Sequence, residues 1–176
     1  MIVCLIKGAP GDCLVNGYKD YFVVDSFSFA AERELKDSGQ GGTADVNLGV
    51  VEMQECSIDK SFDTASMELA NKAITGSSVG TAEIKFLETI TSGTESKNVC
   101  YLQFKLDNAF VKSWEMSGSD DDRPEEKIVL WYNKIAFCYF YTPDGKEFKF
   151  AGDCAWDASS GAVWASPGLD TTATMT

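Results

Sequence analysis

Histidine is missing from all 176 residues of this chain. Its absence removes Ser-His-Asp and Cys-His nucleophilic catalysis, and with them the commonest metal ligand. Long apolar runs are missing as well. Met1-Ile2-Val3-Cys4-Leu5-Ile6 is too short for a signal-peptide core and runs directly into Gly8, Pro10 and Gly11, so neither a signal peptide nor membrane insertion is expected. Positive charge is in deficit: 15 Lys and Arg stand against 27 Asp and Glu, a net charge of -12. Phosphate recognition needs clustered cations, so no nucleic-acid partner is expected. The six cysteines, Cys4, Cys13, Cys56, Cys100, Cys138 and Cys154, include no CxxC pair. In a chain long enough to bury a core without staples, they are expected as buried free thiols.

Constellations for chemistry are also lacking. Gly39-Gln40-Gly41-Gly42 has neither the lysine nor the following helix of a phosphate loop. Asp120-Asp121-Asp122 does not have the alternating spacing of a calcium loop and reads as a solvated turn. Nothing in the pattern brings Glu52, Glu55, Glu125 and Glu126 together as acid and base. No catalytic, cofactor or metal residue is therefore assigned, and the expectation is a protein that is not an enzyme.

What is present is strand after strand. Strand-like segments run over 2–7, 21–30, 46–58, 81–87 and 99–114, the last two with apolar and polar residues alternating, and turn residues lie between them. One helix is signalled, with Ser66 as N-cap, 67–75 as its body and Gly76 as its stop. Met67, Ala70, Ala73 and Ile74 are its expected core face. The longest strand-like stretch, 128–141, lies between Arg123-Pro124 and the turn Thr142-Pro143-Asp144-Gly145. Its apolar parity changes, from Ile128, Leu130 and Tyr132 to Ile135, Phe137, Tyr139 and Tyr141, which predicts a β-bulge at Asn133-Lys134. Its other face is apolar too, so both faces must be covered, by the chain itself or by a partner. Asn108-Ala109 marks a second candidate parity change. The fold class expected is mainly β, an antiparallel two-sheet barrel or sandwich with one short flanking α-helix. Residues 1–157 form its domain, and 158–176 a polar, loosely held tail.

Four pieces of this pattern stand in a familiar order. They are Val24-Asp25-Ser26-Phe27-Ser28-Phe29; Ser57-Ile58-Asp59-Lys60 leading through Asp63-Thr64-Ala65-Ser66 into the helix; Tyr101-Leu102-Gln103-Phe104-Lys105-Leu106 with Val111; and Arg123-Pro124-Glu125-Glu126 followed by Leu130, Tyr132, Lys134 and Ile135. Together they resemble the hemolysin-coregulated protein family, the tube-forming subunits of bacterial type VI secretion, related to phage tail tube proteins. The resemblance implies homohexameric rings that stack into a tube, with sheath and spike components as partners and small effector proteins in the lumen. It further implies cytoplasmic assembly and export without a signal peptide. The loop 33–44 would then make ring-stacking contacts through Glu34, Lys36, Asp37, Ser38, Gln40 and Thr43. Phe27, Phe29, Val129, Trp131 and Phe140 are candidate subunit-interface residues. A phage-like tail tube is the related alternative. A carbohydrate-binding β-barrel, with Trp114, Trp131, Trp156 and Trp164 stacking on sugar rings, is the unrelated one.

Overall fold

The computed structural model describes residues 1–37, 46–92, 95–143, 145 and 147–173, with side chains described for these except 34–37, 46–50, 92 and 95. The elements run β1 (Ile2–Ile6), β2 (Phe22–Val24), β3 (Ser26–Ser28), β4 (Ala31–Asp37), β5 (Val46–Met53), β6 (Cys56–Ser61), α1 (Ser66–Thr75), β7 (Ser78–Ser92), β8 (Glu95–Ser117), β9 (Glu125–Trp131), β10 (Lys134–Tyr141) and β11 (Lys149–Asp157). Every pairing is antiparallel. The main sheet runs β2-β1-β7-β8-β9-β6-β3, with β10 on β8 and β11 on β10. Strands β4 and β5 form a separate two-stranded sheet.

Two corners fold this sheet into a sandwich. Val24 pairs with Ile2, whereas Ser26 pairs with Asp59. The chain thus changes layer at Asp25, whose N–H donates to the Asp59 carbonyl at 2.9 Å. Strand β8 makes the second change at Asn108, a residue with φ of 50°, a left-handed conformation that asparagine tolerates better than most residues. Residues 102–107 of β8 pair with β10, and residues 110–117 pair with β9. The core lies between the layers, where Cys4, Ile6, Phe22, Ile58, Ile84, Leu106, Ile128, Leu130 and Ile135 are buried. Phe27 of β3 meets Phe104 of β8 at 4.9 Å between ring centroids, one of several contacts across this space.

The predicted bulge at Asn133-Lys134 is not a bulge. Trp131 pairs with Phe110 and Lys134 with Asp107, so two residues lie between the two pairs on each strand and none is inserted. Both strands bend together at this corner, and the bend itself reverses the apolar parity. Register shifts do occur between Val111 and Ser113 of β8 and between Tyr139 and Phe140 of β10. Strands β7 and β8 form a hairpin that pairs as far as Ser92 and Glu95.

The helix begins one residue earlier than the sequence predicts. Ala65 is its N-cap and Ser66 its first residue, because the Ser66 hydroxyl is occupied elsewhere, donating to Glu126 at 2.6 Å. Asp63 accepts from the Ala65 N–H instead, at 2.8 Å. Gly76 ends the helix in the left-handed conformation, φ 70°, as expected. The buried face is Ser66, Leu69 and Ala70, with Ala73 against the core. Met67 and Ile74 point outward at 69% and 83% exposure, correcting the expected core face. Small residues along the buried stripe let the helix lie close to the sandwich, and a neighbouring position is rotated away by about 100°.

A second, smaller core covers the other side of β1. Val3, Tyr18, Tyr21, Leu87 and Cys100 are buried there, beneath the loop that joins β1 to β2. Gly11 sits in this loop because nothing larger fits: a Cβ there would stand 2.4 Å from the Tyr21 carbonyl oxygen and 2.5 Å from Phe22 Cβ.

Candidate assembly surfaces

A buried charged cluster lies where the helix begins. Lys60 of β6 and Glu126 of β9 are 1% and 2% exposed, adjacent across the ladder because Lys60 pairs with Glu126. The Lys60 Nζ lies 2.5 Å from Glu126 Oε1 and 2.8 Å from Asp63 Oδ1. It also donates to the Ser61 carbonyl at 2.9 Å and the Ser66 hydroxyl at 3.1 Å. The other carboxylate oxygen of Glu126 accepts from Trp114 Nε1 at 2.6 Å. A buried ion pair persists when its remaining hydrogen-bonding capacity is filled. These bonds fill it, and they fasten α1 to β6, β8 and β9. The cluster is saturated and enclosed, so its role is to hold the helix, not to react.

The surfaces suited to association lie elsewhere. Among the described residues, strands β4 and β5 pair only with each other, from Ala31 opposite Met53 to Asp37 opposite Val46. Of the ring-stacking candidates, Glu34, Lys36 and Asp37 belong to β4. Ser38, Gln40 and Thr43 lie outside the described residues. The five interface candidates separate. Phe27 and Phe29 are half-buried and lean on Phe104, with Phe86 beside the first and Phe137 beside the second. Val129 is half-buried at mid-strand. Trp131 is 44% exposed and rests on Phe110 at 6.0 Å. Phe140 is 2% exposed and packs on Phe150, so the subunit itself covers it.

That burial extends along the second face of β10. Ala136 and Cys138 are fully buried within the chain, and Cys138 Sγ donates to the Asp170 carbonyl at 3.5 Å. Of the two covers expected for this face, the chain itself supplies one: Phe150 packs on Phe140, and the segment around Asp170 lies on Cys138. A strand whose outer residues are Ala, Cys and Phe needs only a thin cover, which sequence pattern alone could not distinguish from a neighbour.

All six cysteines are free, with Cys4, Cys56, Cys100 and Cys138 buried. Burial pushes the Cys56 thiol up to about 12 and raises that of Cys4 further, so both stay protonated and inert. Among the described residues, no group of three or more His, Cys, Asp or Glu side chains could hold a metal ion. Asp120, Asp121 and Asp122 are exposed. The four tryptophans form no platform. Trp114 and Trp156 pack against the core, Trp131 lies on Phe110, and Trp164 lies under the Lys134 ammonium at 5.6 Å. Among the described residues, no helix is long and apolar enough to cross a membrane.

Comparison with known proteins matches this architecture. A structure described as a type six secretion system protein superposes with a TM-score of 0.79 at 24% identity, over 92% of this chain and 97% of that one. Hcp1 from Salmonella typhimurium gives 0.68 at 17% identity, over 93% and 97%. A type VI secretion system effector from Yersinia pestis gives 0.64 at 16% identity, over 89% and 99%. No curated protein matches significantly. The family model for the type VI secretion system effector Hcp spans residues 4–139, taking in the corners, the helix and the buried ion pair, and the chain belongs to this Hcp family.

Proposed function

We propose that this Hcp-family protein works as a structural ring subunit: six copies close into a ring, and rings stack through the β4–β5 hairpin into the tube of a type VI secretion machine. One observation carries the reading. The hairpin is a two-stranded sheet that pairs with no other strand among the described residues, and an isolated hairpin is at best marginally stable in water. A second subunit is the natural source of its missing partner, with Glu34, Lys36, Asp37, Ser38, Gln40 and Thr43 as the stacking contacts. The part-exposed Trp131 and the half-buried Val129, Phe27 and Phe29 make the side-to-side interface. Phe140 supports that surface from inside the subunit. Sheath and spike components and small effector proteins are the remaining partners, and export follows assembly in the cytoplasm.

Size-exclusion chromatography with light scattering, followed by negative-stain microscopy, tests the reading. Six-fold rings are expected from the parent chain, and a strict monomer at every concentration would sink it. Trp131→Glu is expected to abolish rings while leaving the monomer folded, because the side chain already faces water. A charge introduced at Ser38 or Gln40 is expected to spare the ring and weaken stacking.

A further inference from the structure

The C-terminal segment follows a specific path. After β11 the chain turns back at Asp157, whose N–H donates to the Ala162 carbonyl at 2.9 Å, and the Trp164 N–H donates to the Ala155 carbonyl at 3.3 Å. These bonds occupy the free edge of β11, a strand that among the described residues pairs in the sheet with β10 alone. The segment then crosses the outer face of β10, β8 and β7 in three steps. Trp164 meets Lys134, which pairs with Asp107 and Asp157. The Gly168 carbonyl accepts from Lys105 Nζ at 3.4 Å, over the row in which Lys105 pairs with Ala136 and Ala136 with Ala155. The alanines leave room for the crossing backbone. Asp170 ends the path over the row Lys85, Gln103, Cys138 and Asp153, successive partners across four strands.

At that last row, contacts of three kinds hold the segment. The Asp170 carboxylate pairs with Lys85 at 3.2 Å. Its N–H donates to Gln103 Oε1 at 3.4 Å, and its carbonyl accepts from Cys138. Gln103 is a buried polar side chain, and such a group needs a partner. The segment supplies it. Yet the attachment is thin: one ion pair with a half-exposed carboxylate, a few long hydrogen bonds and one cation–π contact. Such contacts are individually weak and open locally well before the core does.

We propose that residues 164–170 form a detachable strap, closing the outer face and the β11 edge within one subunit, and that a second copy of this chain exchanges its equivalent strap onto the same face. The occupant follows from the chemistry of the face. Every copy carries the same Asp170, so the Lys85 and Gln103 of one subunit are satisfied equally by the strap of another. Exchange loses no contact, and the turn over 157–161 serves as its hinge. Opening also frees the backbone groups along β11 that Ala162 and Trp164 occupy, and an open edge favours pairing with another chain.

Cys138 reports the state of the strap directly, since it lies beneath Asp170. The experiment follows alkylation of each cysteine by peptide mass spectrometry under native conditions, with buried Cys4 as the control for unfolding. Asp170→Asn removes the charge and Asp170→Lys reverses it. Labelling of Cys138 is expected to rise in that order, by about tenfold for the reversal, with Cys4 unchanged. No rise at Cys138, or a rise matched at Cys4, overturns a strap that opens independently of the fold. Mixing Asp170→Lys chains with Lys85→Asp chains then tests exchange, because opposite charges meet only between unlike copies. Light scattering is expected to show a mixed complex, with Cys138 labelling falling back towards the parent rate. A mixture that behaves as the sum of its two components overturns exchange. Ring formation by the parent chain is scored separately, so failure of the ring reading and failure of the strap are distinct results.

Discussion

Replacing Lys60 by Met tests whether the buried cluster holds the helix as described. The substitution keeps the apolar stem and removes an ammonium that touches Glu126, Asp63, Ser66 and the Ser61 carbonyl. Glu126 then keeps two neutral donors, the Ser66 hydroxyl and the Trp114 indole, and no counter-charge. Breaking a fully buried pair from one side costs about 3–5 kcal/mol, because the surviving charge remains desolvated. Against a typical total stability of about 5–15 kcal/mol, such a loss is readily measured. Urea unfolding at one fixed protein concentration is the assay, followed by tryptophan fluorescence, since Trp114 is bonded to the cluster.

Glu126→Gln completes a double-mutant cycle. An amide keeps an acceptor for Trp114 or Ser66 and removes the negative charge. In the double variant neither partner is a lone buried ion, so its loss is expected to fall below the sum of the single losses by about 2–3 kcal/mol. A Lys60→Met variant that loses less than about 1 kcal/mol, or a cycle that is additive, would refute the reasoning and mean that water reaches the pair.

Further predictions concern packing and pH. Leu130, fully buried between the layers, should lose about 2–5 kcal/mol on replacement by Ala, read from the same urea curves; Leu130→Asp should prevent folding, seen as loss of the native circular dichroism. Gly11→Ala forces a Cβ into the Tyr21 carbonyl and the backbone of β2, and about 1–3 kcal/mol of stability is expected to go with the displaced loop, with Cys100 alkylated faster as the smaller core loosens. The Cys56 thiol lies near 9.0 in the unfolded chain and is held up to about 12 by burial when folded. Its contribution is therefore constant below pH 9, and above that it falls by about 1.4 kcal/mol per pH unit until the folded thiol also ionises. Comparing urea midpoints at pH 8 and pH 10 for the parent and Cys56→Ala checks this, and the variant is expected to have the shallower fall.

Period-two alternation made the strands legible, and Gly76 made the end of the helix legible, because each is a local consequence of backbone geometry. What sequence pattern missed depended on contacts with distant residues. Ser66 has the chemistry of an N-cap, but Glu126, sixty residues away, claims its hydroxyl. Met67 and Ile74 have the chemistry of a core face, but the small residues beside them pack closer. The parity switch near Asn133 is real in sequence, and its cause lies on the partner strand, at Asn108. The second apolar face of β10 calls for a cover, but the segment around Asp170, with little apolar content, offers no periodicity to mark it as part of one. Alternation places Trp131 on the exposed face and says nothing of Phe150, which covers Phe140.

The four sequence pieces that carry the family resemblance, each weak alone, are joined in space. Ser26 donates to the Asp59 carboxylate at 2.5 Å, linking the first to the second. Phe27 stacks on Phe104, linking the first to the third. Val111 pairs with Leu130, linking the third to the fourth. Lys60 and Glu126 close the circuit between the second and the fourth. A change in one piece therefore shifts the requirement on the others, through a buried charge that needs its counterpart or a ring that needs its neighbour. The order and spacing of the pieces are thus the linear trace of one connected set of contacts at the two corners of the sandwich. The β4–β5 hairpin and the C-terminal strap lie outside this set.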